Sequence, residues 1–144
     1  MISRSISDTQ ELAQKLAKNL PSRIFALTGD LGSGKTTFVQ AFLRALGVAG
    51  RITSPTFLII KNYRLQIKDL RFKRTYHIDC YRIKKPEELL NLGFKEILEN
   101  PENIILIEWA EKVKDLLPKE TFWLYFEHSQ KENERVISLK TTMQ

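Results

Sequence analysis

The chain contains one cysteine, Cys80, among 144 residues. An internal disulfide is impossible, and this cysteine usage fits a reducing compartment, so a cytoplasmic protein is expected. No apolar run approaches the roughly 18 residues needed to cross a bilayer, so no membrane role is expected. The opening residues Met1-Ile2-Ser3-Arg4-Ser5 lack the apolar core of a secretion signal. Histidine is scarce too, and His77 has no second histidine near it. A metal site at His77 is disfavoured; a packed or hydrogen-bonded strand histidine is expected. No internal repeat or low-complexity stretch is present. Glycine numbers only six, yet Gly29, Gly32 and Gly34 stand together.

That cluster is the centre of the sequence. Gly29-Asp30-Leu31-Gly32-Ser33-Gly34-Lys35-Thr36 has the spacing G-x-x-x-x-G-K-[ST] of a P-loop. The apolar run Ile24-Phe25-Ala26-Leu27 before it reads as a buried strand. After it, Phe38, Phe42 and Leu46 recur at helical spacing, with Leu43 beside Phe42 and Gly47 as a stop. A strand, a glycine-rich loop and a helix in this order are the context the motif requires. The glycines let backbone N–H groups turn toward phosphate oxygens, and the helix adds its unpaired N-terminal N–H groups. Lys35 supplies a cation to the β- and γ-phosphates, and the Thr36 hydroxyl suits Mg2+.

Hydrophobic residues make up 42% and charged residues 28%, which reads as one globular domain over 1–144. The net charge of +6 favours an acidic partner, nucleic acid being the obvious one. Many ordinary enzymes are equally basic, so charge alone does not decide this.

Ser7 and Gln10 have capping-box spacing ahead of a helix marked by Leu12, Leu16 and Leu20 and ended by Pro21. This helix either packs over a nucleotide base or covers the sheet edge. Beyond the P-loop helix, Ser54 and Thr56 flank Pro55 in a hydroxyl-rich loop. It is either a switch near the γ-phosphate or a plain connector. Residues 57–63 and 74–79 read as strands. The basic stretch 64–73 between them reads as an extended hairpin, touching phosphates or an acidic partner, or serving as a solvated edge. Asp79, at a strand end, either holds Mg2+ or its water, or pairs with Arg82, or caps a turn.

Pro86–Leu90 has a helix start, with proline and acids in its first turn, and Phe94–Leu98 reads as a second short helix. Ile104-Ile105-Leu106-Ile107-Glu108 has the form of a Walker B strand with glutamate in the acidic position. A continuous apolar run fits a strand buried on both faces. Glu108 then emerges beside the P-loop, at the carboxyl ends of the strands, to hold a metal through water or orient an attacking water. The alternative is a surface acid after a core strand. Glu111, Lys112 and Lys114 continue a short polar helix stopped by Pro118, and residues 121–127 and 135–140 form a terminal antiparallel hairpin.

A GTPase needs Asn-Lys-x-Asp to read guanine, and the chain has none. A small-molecule kinase usually carries an arginine-rich lid. Arg64, Arg71, Arg74 and Arg82 leave that class open, but no compact lid helix pair is readable. A nucleotide-dependent interaction module that barely hydrolyses ATP is a third possibility.

The P-loop followed by Ser54-Pro55-Thr56, His77-Ile78-Asp79-Cys80-Tyr81-Arg82, Pro86-Glu87-Glu88-Leu89 and Glu108-Trp109, in this order, resembles the TsaE (YjeE) family. This family is the bacterial ATPase needed to make threonylcarbamoyladenosine in tRNA. The resemblance runs from about the first helix to the end of the Glu108 helix. It implies an α/β fold of P-loop NTPase type, a mixed sheet with a parallel core and antiparallel hairpins, flanked by helices. It also implies hydrolysis of ATP with Mg2+ in a complex with TsaD and TsaB. TsaD transfers the threonylcarbamoyl group to adenosine 37 of tRNAs reading codons that begin with A; the TsaE-like subunit resets the complex between turnovers.

Carried onto these positions, the resemblance gives Lys35 and the backbone of Gly29, Asp30, Leu31, Gly32, Ser33, Gly34, Thr36 and Thr37 to the phosphates. Thr36 and Glu108 hold Mg2+, and Asp79 lies near the metal and the γ-phosphate. Thr56, with Ser54, is the switch-like element. Trp109 and Glu111 lie near the base or ribose or at the partner interface, and Thr9 near the base. No arginine finger is evident, and a missing cation costs about 10³–10⁵ in phosphoryl-transfer rate. A slow ATPase, stimulated by a partner, is therefore expected.

Overall fold

The computed structural model of the chain describes residues 2–3, 5–30, 34–50, 52, 60–65, 71–128 and 135–140. The elements in chain order are β1 (Ile2–Ser3), α1 (Ile6–Lys18), β2 (Ile24–Gly29), α2 (Lys35–Ala45), β3 (Ile60–Arg64) and β4 (Arg74–Asp79). Then come α3 (Pro86–Leu90), α4 (Phe94–Glu99), β5 (Asn103–Glu108), a 3-10 helix (Ala110–Leu116), β6 (Phe122–His128) and β7 (Arg135–Lys140). The centre of the P-loop (31–33), the Ser54 and Thr56 loop, and residues 66–70 of the basic stretch lie outside the described residues.

The strands form one seven-stranded sheet in the order β1-β7-β6-β2-β5-β4-β3. Strands β6, β2, β5 and β4 run parallel as its core. Strands β3, β7 and β1 add antiparallel edges. This is the mixed sheet of P-loop NTPase type expected from the sequence. Chain order puts β2 in the middle: β5 and β4 pair on one side, and β6 on the other. The carboxyl end of β2 is thus a point where connections diverge, and such sheets bind ligands there.

Alternation along the strands divides the core into two layers. Phe25, Leu27, Ile104, Leu106, Leu124 and Phe126 face α1 and α2. Ile24, Ala26, Ile78, Ile105, Ile107 and Trp123 face α3, α4 and the 3-10 helix. All six residues of β5 are buried, as the unbroken apolar run implied.

Helix α1 starts two residues before the sequence reading. Ser5, not Ser7, is the N-cap, and its hydroxyl accepts from the Asp8 N–H at 3.2 Å. Ser5 precedes Asp8 by the same three-residue spacing, so a second cap signal stood one half-turn earlier. At the other end of α2, Gly47 takes φ 89, a left-handed turn that suits a residue without Cβ. The Val48 N–H then closes on the Leu43 carbonyl at 3.0 Å. The two-residue β1 was not read from the sequence; it is too short to show alternation.

Four phenylalanines join α2 to the sheet. Phe42 sits 4.8 Å from Phe25 and 5.8 Å from Phe38, centroid to centroid, and Phe38 is 5.8 Å from Phe126. All four are fully buried or nearly so. Phe42→Ala removes a ring that no neighbour can replace without moving α2, and is expected to destabilise the fold by about 3–5 kcal/mol. Urea unfolding of the two proteins measures this; a loss near zero would mean that α2 does not depend on this contact.

Candidate functional site

Strand β2 leads straight into the P-loop. Gly34 precedes α2 with φ 103, which an L side chain would strain. The first helical bond runs from the Phe38 N–H to the Gly34 carbonyl at 3.1 Å. The amides of Lys35, Thr36 and Thr37, in the first turn, are left without intrahelical acceptors and favour an anion.

Lys35 is buried at the foot of this helix, 5% exposed. Its Nζ donates to the Gly29 carbonyl at 2.5 Å and lies 3.7 Å from the centre of the Trp109 ring. Burial pushes its pKa down. The carboxylates of Glu108, Glu111, Asp79 and Asp30 push it back up, in that order of strength.

Strand register supplies the acids. Asp79, the last residue of β4, pairs with Glu108, the last residue of β5, and Glu108 pairs with Leu27 of β2. Paired positions share a face, so Asp79 and Glu108 lie on the α2 side of the sheet, at its carboxyl end. Glu108 is buried, and its Oε2 is 2.5 Å from Nε2 of His77, itself buried two residues before Asp79. The hydrogen-bonded strand histidine expected from the sequence is present, with Glu108 as its partner.

Asp79 is half-buried, and its Oδ1 accepts from the Tyr81 N–H at 2.9 Å, so the turn-capping reading is realised. Burial raises its pKa above the usual aspartate range; the Tyr81 N–H works against this, and the Glu108 charge adds to it. Cys80 is buried behind Asp79, and desolvation pushes its thiol up to about 12, so it stays protonated.

Trp109 follows Glu108 with φ 56, left-handed for a bulky residue, and turns the chain sharply into the 3-10 helix. The turn carries Glu111 to the opposite face of β2, where its Oε2 accepts from the Thr28 hydroxyl. Tyr125, paired with Thr28 in the sheet, has its pKa raised by burial first and by Glu111 second. Tyr81 stands 5.1 Å from Trp109, and Lys112 donates to the Tyr81 carbonyl.

Of the residues singled out in the sequence, the structure brings together Gly29, Lys35, Asp79, Glu108, Trp109 and Glu111 around the end of β2. Thr36 is exposed and Thr37 half-buried in the first turn of α2; Asp30 is exposed. Leu31, Gly32, Ser33, Ser54 and Thr56 lie outside the described residues. Thr9 is buried on α1, with its hydroxyl 2.6 Å from that of Ser3. Sequence reasoning missed the Glu108 bond of His77, the Thr28–Glu111 bond and the Lys35–Trp109 contact. His77 and Asp79 are two apart on a strand and so share a face, which was the available signal for the first.

A parallel-cored α/β sheet with a glycine-capped helix after its central strand, and acids at the carboxyl ends of the adjoining strands, defines a P-loop-type domain. The comparisons make this specific. The family model for threonylcarbamoyl adenosine biosynthesis protein TsaE matches residues 3–137. The TsaE protein of Rickettsia felis is 41% identical over 119 residues, covering 81% of this chain and 66% of that protein. That of Bacillus subtilis is 39% identical over 100 residues, 69% of this chain and 58% of its own length. The crystal structure of Bacillus subtilis YdiB superposes with a TM-score of 0.76 at 29% identity, over 99% of this chain and 84% of that one. The chain belongs to the TsaE family. Among the described residues no helix is long and apolar enough to cross a membrane.

The raised pKa of Asp79 has a sign consequence for stability. Its protonated form favours folding at low pH, and that contribution is lost as pH rises through the raised value. Asp79→Asn keeps an acceptor for the Tyr81 N–H without the charge. It is expected to raise the urea midpoint of the nucleotide-free protein at about pH 8, with the advantage shrinking toward about pH 4. A variant less stable than wild type at the higher pH contradicts this.

Proposed function

We propose that the chain is the ATP-hydrolysing subunit of the bacterial machinery that makes N6-threonylcarbamoyladenosine at position 37 of tRNAs reading codons that begin with A. Membership of the TsaE family supports the pathway. The observation that carries the chemistry is Lys35 at the N-terminus of α2, facing Asp79 and Glu108 on adjacent parallel strands.

In this reading the P-loop backbone, the first-turn amides of α2 and Lys35 hold the phosphates of ATP. Mg2+ takes hard oxygen ligands and is usually bound through one or two protein groups plus phosphates. The Thr36 hydroxyl and the Glu108 carboxylate are donors of that kind, both at this end of the sheet. When bound, the metal neutralises charge that develops on the phosphate oxygens. Asp79, half-buried and fixed by the Tyr81 N–H, orients water near the metal and the γ-phosphate. Trp109 and Glu111 serve the base, the ribose or the partner face, Thr9 lies near the base, and Ser54 and Thr56 act as a switch. Proteins of the TsaB and TsaD kind complete the site, with tRNA held at the complex, in the cytoplasm.

The test is ATP hydrolysis by the chain alone and with TsaB and TsaD. Slow turnover alone and marked stimulation in the complex are expected. Lys35→Ala is expected to lower the stimulated rate by about 10² or more, the scale for removing one charge-stabilising donor. Absence of both stimulation and complex formation would redirect the search to a phosphate acceptor other than water.

A further inference from the structure

His77 has no part in the reading above, although its surroundings are unusual for a packing residue. It is 2% exposed, on β4 at the margin of the parallel core between β5 and β3, and its Nε2 lies 2.5 Å from Glu108 Oε2. On that face the other side chains in register with Glu108 are Leu27 on β2 and Asp79 on β4, and its same-strand neighbour is Leu106. Neither leucine can donate a hydrogen bond, and an ionised Asp79 is an acceptor only. Lys35, the nearby cation, is engaged at the Gly29 carbonyl and over the Trp109 ring. Among the described residues, His77 therefore supplies the donor beside this acid, on a rigid ring. Its Nδ1 is buried with no hydrogen-bond partner among the described residues. With Glu108 ionised, a neutral ring donates from Nε2 and carries its lone pair on Nδ1, the tautomer that the bond to the carboxylate favours.

The geometry points to His77 as a positioning residue for Glu108. It ties Oε2 and fixes the plane of the carboxylate, so that Oε1 is the oxygen presented to the metal or its water. The inference rests on the proposed metal role of Glu108. A glutamate side chain has three rotatable bonds, and β5 ends at this residue. The bond to the neighbouring strand holds the group within the small tolerance that metal-linked chemistry requires.

The test separates His77 from Glu108. Binding of ATP is measured with and without Mg2+ for wild type, His77→Asn, His77→Gln, Glu108→Gln and the double variant His77→Asn/Glu108→Gln. Partner-stimulated hydrolysis is measured for the same set. The shorter amide of asparagine falls away from Glu108, while glutamine places a donor near the position of Nε2. His77→Asn is expected to lower the stimulated kcat and the Mg2+-dependent gain in ATP affinity by about tenfold, the scale for outer hydrogen-bond partners of metal ligands. Affinity for Mg2+-free ATP should stay unchanged, and His77→Gln should recover most of both losses. In the Glu108→Gln background, His77→Asn should cost nothing further. An equal loss with and without the Glu108 carboxylate, or no loss in His77→Asn, overturns the inference. If Glu108→Gln itself leaves the Mg2+ gain and the turnover intact, the metal role of Glu108 fails and the inference falls with it.

A measurement on the wild-type chain guards against a variant that does not fold. Long-range 15N–1H spectra of the histidine rings should show His77 protonated at Nε2 and bare at Nδ1. Its signals should shift when Mg2+ is added to the ATP-bound protein, and those of the exposed His128 should not. A proton on Nδ1 alone, or an unmoved His77, overturns the inference.

Discussion

The site depends on strand register, and register is the one thing the apolar core of β5 does not specify. Ile104, Ile105, Leu106 and Ile107 are buried on both faces, so a slip by one residue would exchange one aliphatic for another. Hydrophobic patterning pins register only where the two faces differ in polarity. The polar residues at the ends of β5 make the difference here. Asn103 donates from its amide to the Ile97 carbonyl at 3.0 Å, and Glu108 meets His77 across the β4 pairing. A slip would put a carboxylate among the leucines and phenylalanines of one layer or the aliphatics of the other, leaving it buried without a donor. The polar groups gathered at the site also select the alignment of the strands that carry them.

The second constraint is a cation kept out of water. Lys35 would be costly to bury without neighbours of opposite sign. The Gly29 carbonyl and the Trp109 face supply contacts, and the carboxylates supply the field. The left-handed turn at Trp109 serves both ends of this arrangement. It sets the indole against Lys35 and swings Glu111 beneath β2 to Thr28. Strain at such a residue persists only where the surroundings over-determine it, and contacts to Lys35 and Tyr81 do so here.

Much of this was legible beforehand, for identifiable reasons. The P-loop carries its own context, because a buried strand before Gly29 and phenylalanines at helical spacing after Thr36 fix the strand–loop–helix order. The run 104–107 announced a strand covered on both sides, and its terminal acid fell where such sheets gather ligands. The side-chain pairings across strands were not legible. Which residue of β4 stands beside Glu108 depends on pairing between segments about thirty positions apart, and no local pattern encodes that. The helix start at Ile6 was misplaced because Ser5 and Ser7 both offer cap chemistry, and only the geometry chooses between them. The conformation of Trp109 was hidden as well, since nothing about a tryptophan after a strand announces a left-handed backbone.

The acids gathered at the end of the sheet reverse the electrical character of the molecule at one spot. The chain as a whole carries +6. Yet among the described residues the charges that act on Lys35 are negative: Glu108, Glu111, Asp79 and Asp30. Long-range attraction of a polyanion is governed by the whole surface, whereas the field at this end of the sheet is set by the nearest few charges. On the proposed reading, Lys35 and the first-turn amides of α2 attract a polyphosphate, and the carboxylates oppose a bare one more than one that brings its own divalent counterion. Charge thus acts at two scales on this chain, the whole surface and the end of β2, something net charge and isoelectric point cannot express.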